Sequence, residues 1–124
     1  MDLNKIAVFG RADGSLADQP QRTLFSLCDG IIGGQGNGPL KPEPLPLGVI
    51  CFSNNSAITD ISMALLMGFN FHKIPLLETA YNLSGNMHIN LLYNGSPINL
   101  NGLADLAINT LPAPGWIDYL KLNS

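Results

Sequence analysis

Charged side chains are scarce in this sequence. They make up 12% of its 124 residues, whereas about a quarter is usual for a soluble domain. The six lysines and arginines are scattered and the formal net charge is -3, so the chain lacks the concentrated cationic face that nucleic-acid binding requires. The same scatter provides no polybasic segment for an anionic membrane. We therefore expect neither nucleic acid nor a membrane as a partner, and we expect uncharged surface to face another protein.

Long apolar runs are also missing. No stretch approaches the roughly 18 apolar residues of a membrane-spanning helix, and the first residues lack the charged start and apolar core of a secretory signal. These absences predict a cytoplasmic location. The length of the chain and its 46% apolar content predict a single domain, residues 1–124, with a core of its own.

Cysteine occurs only twice, at Cys28 and Cys51, and there is no Cys-x-x-Cys pair. Two cysteines at this spacing cannot assemble a zinc site or an iron–sulfur cluster. We therefore predict no cofactor in this chain. Each cysteine lies in an apolar, strand-like run, which favours buried reduced thiols over a disulfide.

Glycine, by contrast, is concentrated between Gly30 and Gly38, where five of nine residues are glycine. This density predicts a strand that opens into a loop, because glycine is favoured where the backbone takes positive φ or where a ligand comes close. Successive N–H groups of such a loop can form a nest for an anion. The alternative is a loop that only reverses the chain. The predicted ligand-binding residues are Asp29, Gly30, Gly34, Gln35, Gly36, Asn37, Gly38 and Asp60.

The glycine spacing excludes the two familiar nucleotide loops. A Walker loop needs a lysine after its last glycine, and Pro39 follows Gly38 here. A dinucleotide fingerprint must run into a helix, whereas residues 39–46 contain four prolines. Those alternating prolines predict an extended connector of the polyproline type.

Two apolar runs flank this connector and predict the core strands. Residues 23–32 are almost continuously apolar, as expected of a strand that is buried on both faces, and residues 47–52 predict a second strand. The cluster Ser53–Ser56 supplies good N-cap residues for a helix over residues 57–67, which Gly68 ends. The run Leu3–Phe9 fits a short strand or the end of a helix.

The second half of the chain carries a clear turn signal. Alternating residues on both sides of Asn94-Gly95 predict a β-hairpin that begins at Met87 and ends at Leu100, with His88 on one face and Pro97 on an edge strand. Short helices are predicted over residues 76–81 and 102–109. Together these elements predict an α/β fold, with a small mixed sheet, flanking helices and a C-terminal β-hairpin.

The two acidic residues of the predicted site have structural explanations as well. Asp29 ends the first predicted strand, where a carboxylate commonly accepts loop N–H groups. Asp60 falls in the first turn of the predicted helix, where the helix dipole favours a negative charge. If both strands end at the same edge, Asp29, Gln35, Asn37 and Asp60 converge, and such a set suits a hydrated cation or a sugar-like ligand.

The central blocks of the sequence resemble one known family. They are residues 29–39 (DGIIGGQGNGP), 47–50 (LGVI), 57–60 (AITD), 65–69 (LLMGF) and 73–75 (KIP). In order and spacing these blocks are similar to the family called domain of unknown function 362. Gln35 stands where many members carry a glutamate, so no acid or metal role of that glutamate is carried over. Residues 53–56 also replace the family's usual Gly-Thr-Asn-Pro.

The resemblance implies a setting for the chain. Family members are often parts of longer proteins, and some lie beside ferredoxin-type iron–sulfur modules. It implies that this chain is the C-terminal part of a longer protein in a redox setting, with an N-terminal region or a ferredoxin-like domain as its partner. Any iron–sulfur cluster would then belong to that partner domain. A homo-oligomer is a further expectation.

Two functions follow from these observations. The favoured one is binding of a small polar or anionic ligand at the glycine-rich loop. The alternative is a non-catalytic module that docks on the N-terminal region or on a ferredoxin-like domain. No set of nucleophile, base and acid can be named from the sequence, so whether the chain is an enzyme is left open, and a metal-dependent enzyme built on Asp29 and Asp60 ranks last.

Overall fold

A computed structural model describes residues 2–83 and 89–120 of the chain. The elements form in the order α1 (Asp2–Phe9), β1 (Ser26–Gly30), β2 (Gly33–Asn37), β3 (Lys41–Leu45), β4 (Val49–Ser53), α2 (Ser56–Leu66), a 3-10 helix (Phe71–Lys73), α3 (Pro75–Leu83), β5 (Leu91–Tyr93), β6 (Ser96–Ile98), α4 (Leu100–Asp105) and α5 (Ile117–Leu120). The strands form three antiparallel pairs, β1 with β4, β2 with β3 and β5 with β6. The predicted small α/β fold with a C-terminal hairpin is confirmed.

Helix α2 is the centre of the core. Ile61 is 0% exposed, and it packs in one cluster with Leu65, Phe71, Leu77 and Leu103. These residues come from α2, the 3-10 helix, α3 and α4. Helix α2 therefore packs against all three of the helices that contribute the other core residues. Within residues 2–83 and 89–120, no helix has the length and apolar character needed to span a membrane.

The start of α2 follows the predicted capping. Asn55 is the N-cap, and its side-chain oxygen accepts hydrogen bonds from the backbone N–H groups of Ala57 (3.0 Å) and Ile58 (3.3 Å). These bonds satisfy two of the donors that a helix start leaves without partners. The helix ends before Gly68, which has a φ of 75°, a conformation that glycine adopts without strain.

We expect Asn55→Ala to lower the free energy of unfolding by about 1 kcal/mol, because the two N–H groups lose their acceptor. Urea unfolding followed by circular dichroism measures the change. Asn54→Ala is the matched control, since Asn54 is exposed, and its effect should stay within about 0.5 kcal/mol. Equal losses for both variants would contradict the capping role of Asn55.

The β1–β4 pair packs one face on α2. On that face the Ser26 and Ser56 hydroxyls lie 2.9 Å apart, and a Cβ at Gly30 would stand 3.3 Å from Met63 Cε. The opposite face is exposed. The prediction of a first strand buried on both faces is therefore wrong, because only one layer, α2, covers this pair.

The regular ladder of this pair ends at Gly48. Gly30 pairs with Val49, whereas the Gly48 N–H donates to Ile31 O at 3.1 Å and the Ile31 N–H donates to Asp29 Oδ1. Gly48 has a φ of 68°, a left-handed conformation that glycine adopts without strain.

The glycine-rich segment and the proline stretch form a hairpin with each other. Gly33–Asn37 is strand β2 and pairs with Lys41–Leu45, strand β3, so both the predicted glycine loop and the predicted polyproline connector are wrong. Pro42 and Pro44 alternate, so their missing N–H groups both fall on the same, outer edge of the strand. A Cβ at Gly34 would lie 2.9 Å from Pro42 Cβ, and glycine here leaves room for the proline ring.

The C-terminal hairpin forms around the predicted turn. Asn94 and Gly95 have φ values of 49° and 81°, which is the type I′ geometry that Asn-Gly favours. Its strands, Leu91–Tyr93 and Ser96–Ile98, are shorter than predicted. The predicted start at Met87 and the placement of His88 lie outside the described residues.

The predicted short helices are also present. They are α3 (Pro75–Leu83) and α4 (Leu100–Asp105), and the run after Leu3 is helical in α1. Helix α4 begins with Asn99, whose side-chain oxygen accepts the Gly102 N–H at 2.8 Å. Because this cap precedes the predicted start, the helix begins two residues before residue 102.

Candidate functional site

The predicted glycine site uses several of its polar groups within the chain. The Gly36 N–H donates to Leu111 O at 2.8 Å, and Gln35 Oε1 accepts the Leu111 N–H at 2.9 Å. The Gly38 N–H donates to Gly36 O at 2.9 Å. The two bonds to Leu111 fix the hairpin to the C-terminal segment. The N–H groups of Gly36 and Gly38 therefore both have acceptors within the chain. Ligand binding at this segment stays a prediction.

The residues of the predicted ligand-binding set do not all lie on one element. Gly34, Gln35, Gly36 and Asn37 share strand β2, and Gly38 lies in the turn that follows. Gly30 ends strand β1, where its backbone is buried beneath the Val49 side chain. The set is therefore divided among the β1–β4 pair, the β2–β3 hairpin and helix α2.

The β1–β4 pair separates the two predicted carboxylates. Asp29 lies on its exposed face, and Asp29 Oδ1 accepts the Ile31 N–H at 3.1 Å, which is the structural role weighed from the sequence. Asp60 lies on α2, which packs on the opposite face. The predicted convergence of Asp29 and Asp60 is not observed, and residues 2–83 and 89–120 contain no group of three His, Cys, Asp or Glu side chains that could hold a metal ion.

Asp60 lies deeper in its helix than predicted. Because α2 begins at Ser56, its first turn contains no acidic residue, and the proposed interaction of Asp60 with the first-turn dipole does not apply. Partial shielding from water raises the pKa of the Asp60 carboxyl above its ordinary value.

Sequence reasoning missed an apolar face. Four large side chains project from the outer face of the β1–β4 pair and its approach: Phe25 is 64% exposed, Leu27 72%, Ile50 65% and Phe52 66%. The rings of Phe25 and Phe52 stack with centroids 5.5 Å apart. We call Phe25, Leu27, Ile50 and Phe52 the outer face. An exposed apolar patch of this kind is a candidate contact surface.

A cleft of about 590 Å³ opens beside this face, between β4 and β5. Its floor is α2, through Ile58, Thr59, Ser62 and Leu66, together with Leu103 of α4. Its volume lies in the range of ligand pockets in general, roughly 300–1,000 Å³. No lining residue is charged, so the cleft favours an uncharged occupant.

One polar group on the floor of this cleft has no partner. Ser62 Oγ is buried and lacks a hydrogen bond among the residues that the structure describes, whereas Thr59 Oγ1 donates to Asn55 O at 3.3 Å. A buried hydroxyl without a partner costs about 1–3 kcal/mol.

The two cysteines face each other across the β1–β4 pair. Cys28 pairs with Cys51 in the ladder, both thiols are free, and both residues are half-buried, so full burial was an incorrect prediction. Burial raises the pKa of the Cys51 thiol, and the neighbouring Cys28 raises it further. The Cys51 thiol is therefore protonated and weakly nucleophilic at neutral pH, which favours binding over nucleophilic catalysis in the adjoining cleft.

Comparisons with protein-family models, with curated proteins and with solved structures find no match to this chain. The resemblance to domain of unknown function 362 therefore stays a prediction, carried by the sequence blocks alone.

Proposed function

We propose that this chain is a non-catalytic interaction module that binds another protein through its outer face. The observation that carries the proposal is the exposure of four large apolar side chains on one side of a strand pair whose other side packs on the core. Burying this area from water would contribute favourable free energy in proportion to its apolar surface, at about 25 cal/mol per Å² before the costs of association.

The partner surface is expected to be apolar with one basic group. Asp29 is the one charged residue among the outward-facing residues of β1 and β4, and a lysine or arginine opposite it would avoid burying an unpaired carboxylate. The low overall charge of the chain fits such a contact. The resemblance to domain of unknown function 362 adds a proposed identity for the partner, an N-terminal region or a ferredoxin-like domain.

Site-specific crosslinking tests the outer face. A photo-crosslinking phenylalanine derivative at position 27 should give a defined adduct in an extract of the source cells. The same group at position 40 should not give this adduct, because Leu40 lies in the turn between β2 and β3 and is not part of the outer face. Leu40 is a suitable control because its side chain is 97% exposed. The captured protein is then purified and its affinity is measured by calorimetry.

Leu27→Asp should weaken that affinity by about tenfold or more, which corresponds to about 1.4 kcal/mol. Leu40→Asp is the matched control and should leave it unchanged. Because Leu27 is exposed, its variant should also unfold at the same urea concentration as the parent. Identical adducts at positions 27 and 40, or equal affinities for the two variants, would overturn the proposal.

A further inference from the structure

The cleft between β4 and β5 runs along both strands. Every residue from Gly48 to Asn54 and every residue from Asn90 to Asn94 lines it. Because a strand rises about 3.3 Å per residue, the shorter wall, from Asn90 to Asn94, spans about 13 Å. The cleft is therefore elongated, and its volume of about 590 Å³ suits a small molecule.

The floor of the cleft is apolar to an occupant. Ile58, Leu66 and Leu103 are buried apolar residues that line it. The two hydroxyls of the floor are not available for binding, because Thr59 Oγ1 already donates to a backbone oxygen of the chain and Ser62 Oγ is shielded from the cleft. A polar group placed on this floor would lose its hydrogen bonds to water without replacement. The body of a ligand must therefore be apolar.

Aromatic rings line the walls of the cleft. Phe25 and Phe52 belong to the outer face and also line the cleft, and their rings stack with an angle of 10° between the planes. Tyr93 lies on the opposite wall, in β5. Aromatic side chains pack favourably against other flat apolar groups. These rings favour a ligand whose apolar body is flat.

Carboxamides stand at the ends of the walls. Asn90 and Asn94 flank strand β5, and Asn54 follows β4. All three residues are exposed, and their side chains have no hydrogen-bond partner in the described part of the chain. A carboxamide donates and accepts, so it can bind a hydroxyl or a carbonyl oxygen at either end of a ligand.

Charge restricts the ligand further. None of the described residues that line the cleft is charged, so a charged group that loses water there would have no opposite charge to compensate it. The chain as a whole carries a formal net charge of -3, which disfavours an anion in particular. The ligand is therefore uncharged.

We propose that the cleft binds an uncharged, elongated small molecule that has a flat apolar body and a hydroxyl or carbonyl group at each end. The body lies over Ile58, Leu66 and Leu103, and the end groups bond to Asn90 and Asn94. The inference goes beyond the proposed function, because it assigns the chain a small-molecule site in addition to the docking surface.

The test uses biphenyl-4,4′-dimethanol as the probe on the complete chain. This molecule is a rigid, uncharged apolar rod with a hydroxyl at each end. NMR of the ¹⁵N-labelled protein follows the side-chain NH₂ signals of asparagine. The signals of Asn90 and Asn94 should shift and saturate with a Kd of about 1 mM or tighter. The signal of Asn101, an exposed residue on α4 outside the cleft, should not move. Unchanged signals at Asn90 and Asn94 in about 1 mM probe would overturn the proposal.

Two analogues test the ligand class on the unmodified chain. Biphenyl-4,4′-dicarboxylate has the same body with a charge at each end, and it should bind about tenfold or more weakly than the dimethanol because its carboxylates lose water without compensation. Biphenyl-4-methanol lacks one hydroxyl and should bind about threefold or more weakly, since one hydrogen bond is lost. Equal affinity for the dicarboxylate would overturn the uncharged class, and equal affinity for the mono-alcohol would overturn recognition of both ends.

Variants of the chain test the two carboxamides. Asn90→Ala and Asn94→Gly should each weaken binding of the dimethanol by about threefold or more, whereas Asn101→Ala should leave it unchanged. Glycine at position 94 retains the positive φ, 49° in the parent chain, that the turn requires. Circular dichroism checks that each variant folds, and the analogues decide the question if one does not. Parent affinity in both folded variants would contradict the role of the carboxamides.

The same measurements separate this site from the outer face. Leu27 does not line the cleft, so Leu27→Asp should leave the affinity for the dimethanol unchanged while it weakens partner docking. Docking that depends on Leu27, without dimethanol binding, would reject the cleft site alone. Dimethanol binding, without an effect of Leu27→Asp on docking, would reject the outer face alone. Shifts at the backbone amides of Leu27 and Asp29, with the asparagine signals unchanged, would place the probe on the outer face and overturn the cleft site.

Discussion

Ile61→Ala should lower the free energy of unfolding by about 3–4 kcal/mol. Ile61 is completely buried in α2, where it packs between the helices that follow it. Truncation removes buried methyl and methylene groups and leaves a cavity that the surrounding helices close only in part, and such changes cost about 2–5 kcal/mol. For a domain whose total stability is about 5–15 kcal/mol, this loss is a large fraction.

Urea unfolding measured by tryptophan fluorescence and by circular dichroism gives the value. The matched control is Ile50→Ala, because Ile50 is the same residue type and is 65% exposed on the outer face. Its loss should stay below about 1 kcal/mol. If both variants lost the same free energy, α2 would not be the centre of the core.

Mild oxidation should join Cys28 to Cys51 and stabilise the chain by about 3 kcal/mol. The two residues are directly opposed in the ladder, where Cα atoms are about 4.5–5.5 Å apart, and disulfides span Cα distances of about 4.4–6.8 Å. The bond would close a loop of about 24 residues, for which the chain-entropy model gives about 3 kcal/mol. That loop contains the whole β2–β3 hairpin.

Glutathione disulfide is a suitable oxidant. The two thiols lose two protons and two electrons, the Cys28–Cys51 sulfur–sulfur bond forms, and glutathione disulfide is reduced to two glutathione molecules. Because the pKa of Cys51 is raised and the thiolate is the attacking species, the reaction should be faster at pH 9 than at pH 7. Intact-mass spectrometry detects the loss of two hydrogen atoms per chain, and urea unfolding with and without reductant gives the stability difference.

Cys28→Ser is the control for the disulfide. It leaves Cys51 without a neighbour, so oxidation should give only a mixed disulfide with glutathione and little change in stability. Mixed disulfides on both cysteines of the parent chain, without a species that is lighter than the reduced chain by two hydrogen atoms, would show that the two sulfur atoms do not meet.

Local signals in the sequence were sufficient for much of the fold. Asn55 and Gly68 bound a helix through interactions with residues a few positions away, and Asn94-Gly95 selects one turn type by its own backbone preferences. These features need no information from distant parts of the chain, so they were predictable.

The glycine hairpin depends on a distant pairing, and the prediction failed there. Gly34 looks unfavourable in a strand until the ring of Pro42 is placed against it, and Pro42 looks unfavourable until its missing N–H is placed on an edge. Each residue explains the other, but only when the register of the pair is known. Glycine and proline propensities taken one residue at a time point away from a strand.

The candidate site was hidden for a related reason. An apolar run such as residues 23–32 has the same pattern whether its outer side is buried in the chain or exposed for a partner. The cleft combines the edge of β4, the edge of β5 and a serine on α2, which are far apart in sequence. No spacing rule connects Cys51, Ser62 and Leu92, so only the three-dimensional arrangement shows that they share one cavity.

The hydrogen bonds between Leu111 and the glycine hairpin have a consequence for synthesis on the ribosome. Gln35 and Gly36 of β2 leave the ribosome long before Leu111, whose N–H and C=O groups are their hydrogen-bond partners. Chains fold from the N-terminus as they emerge, at about 5–20 residues per second. Strand β2 therefore remains for several seconds with these two groups bonded to water, and the hairpin acquires its final hydrogen bonds only after Leu111 has been translated.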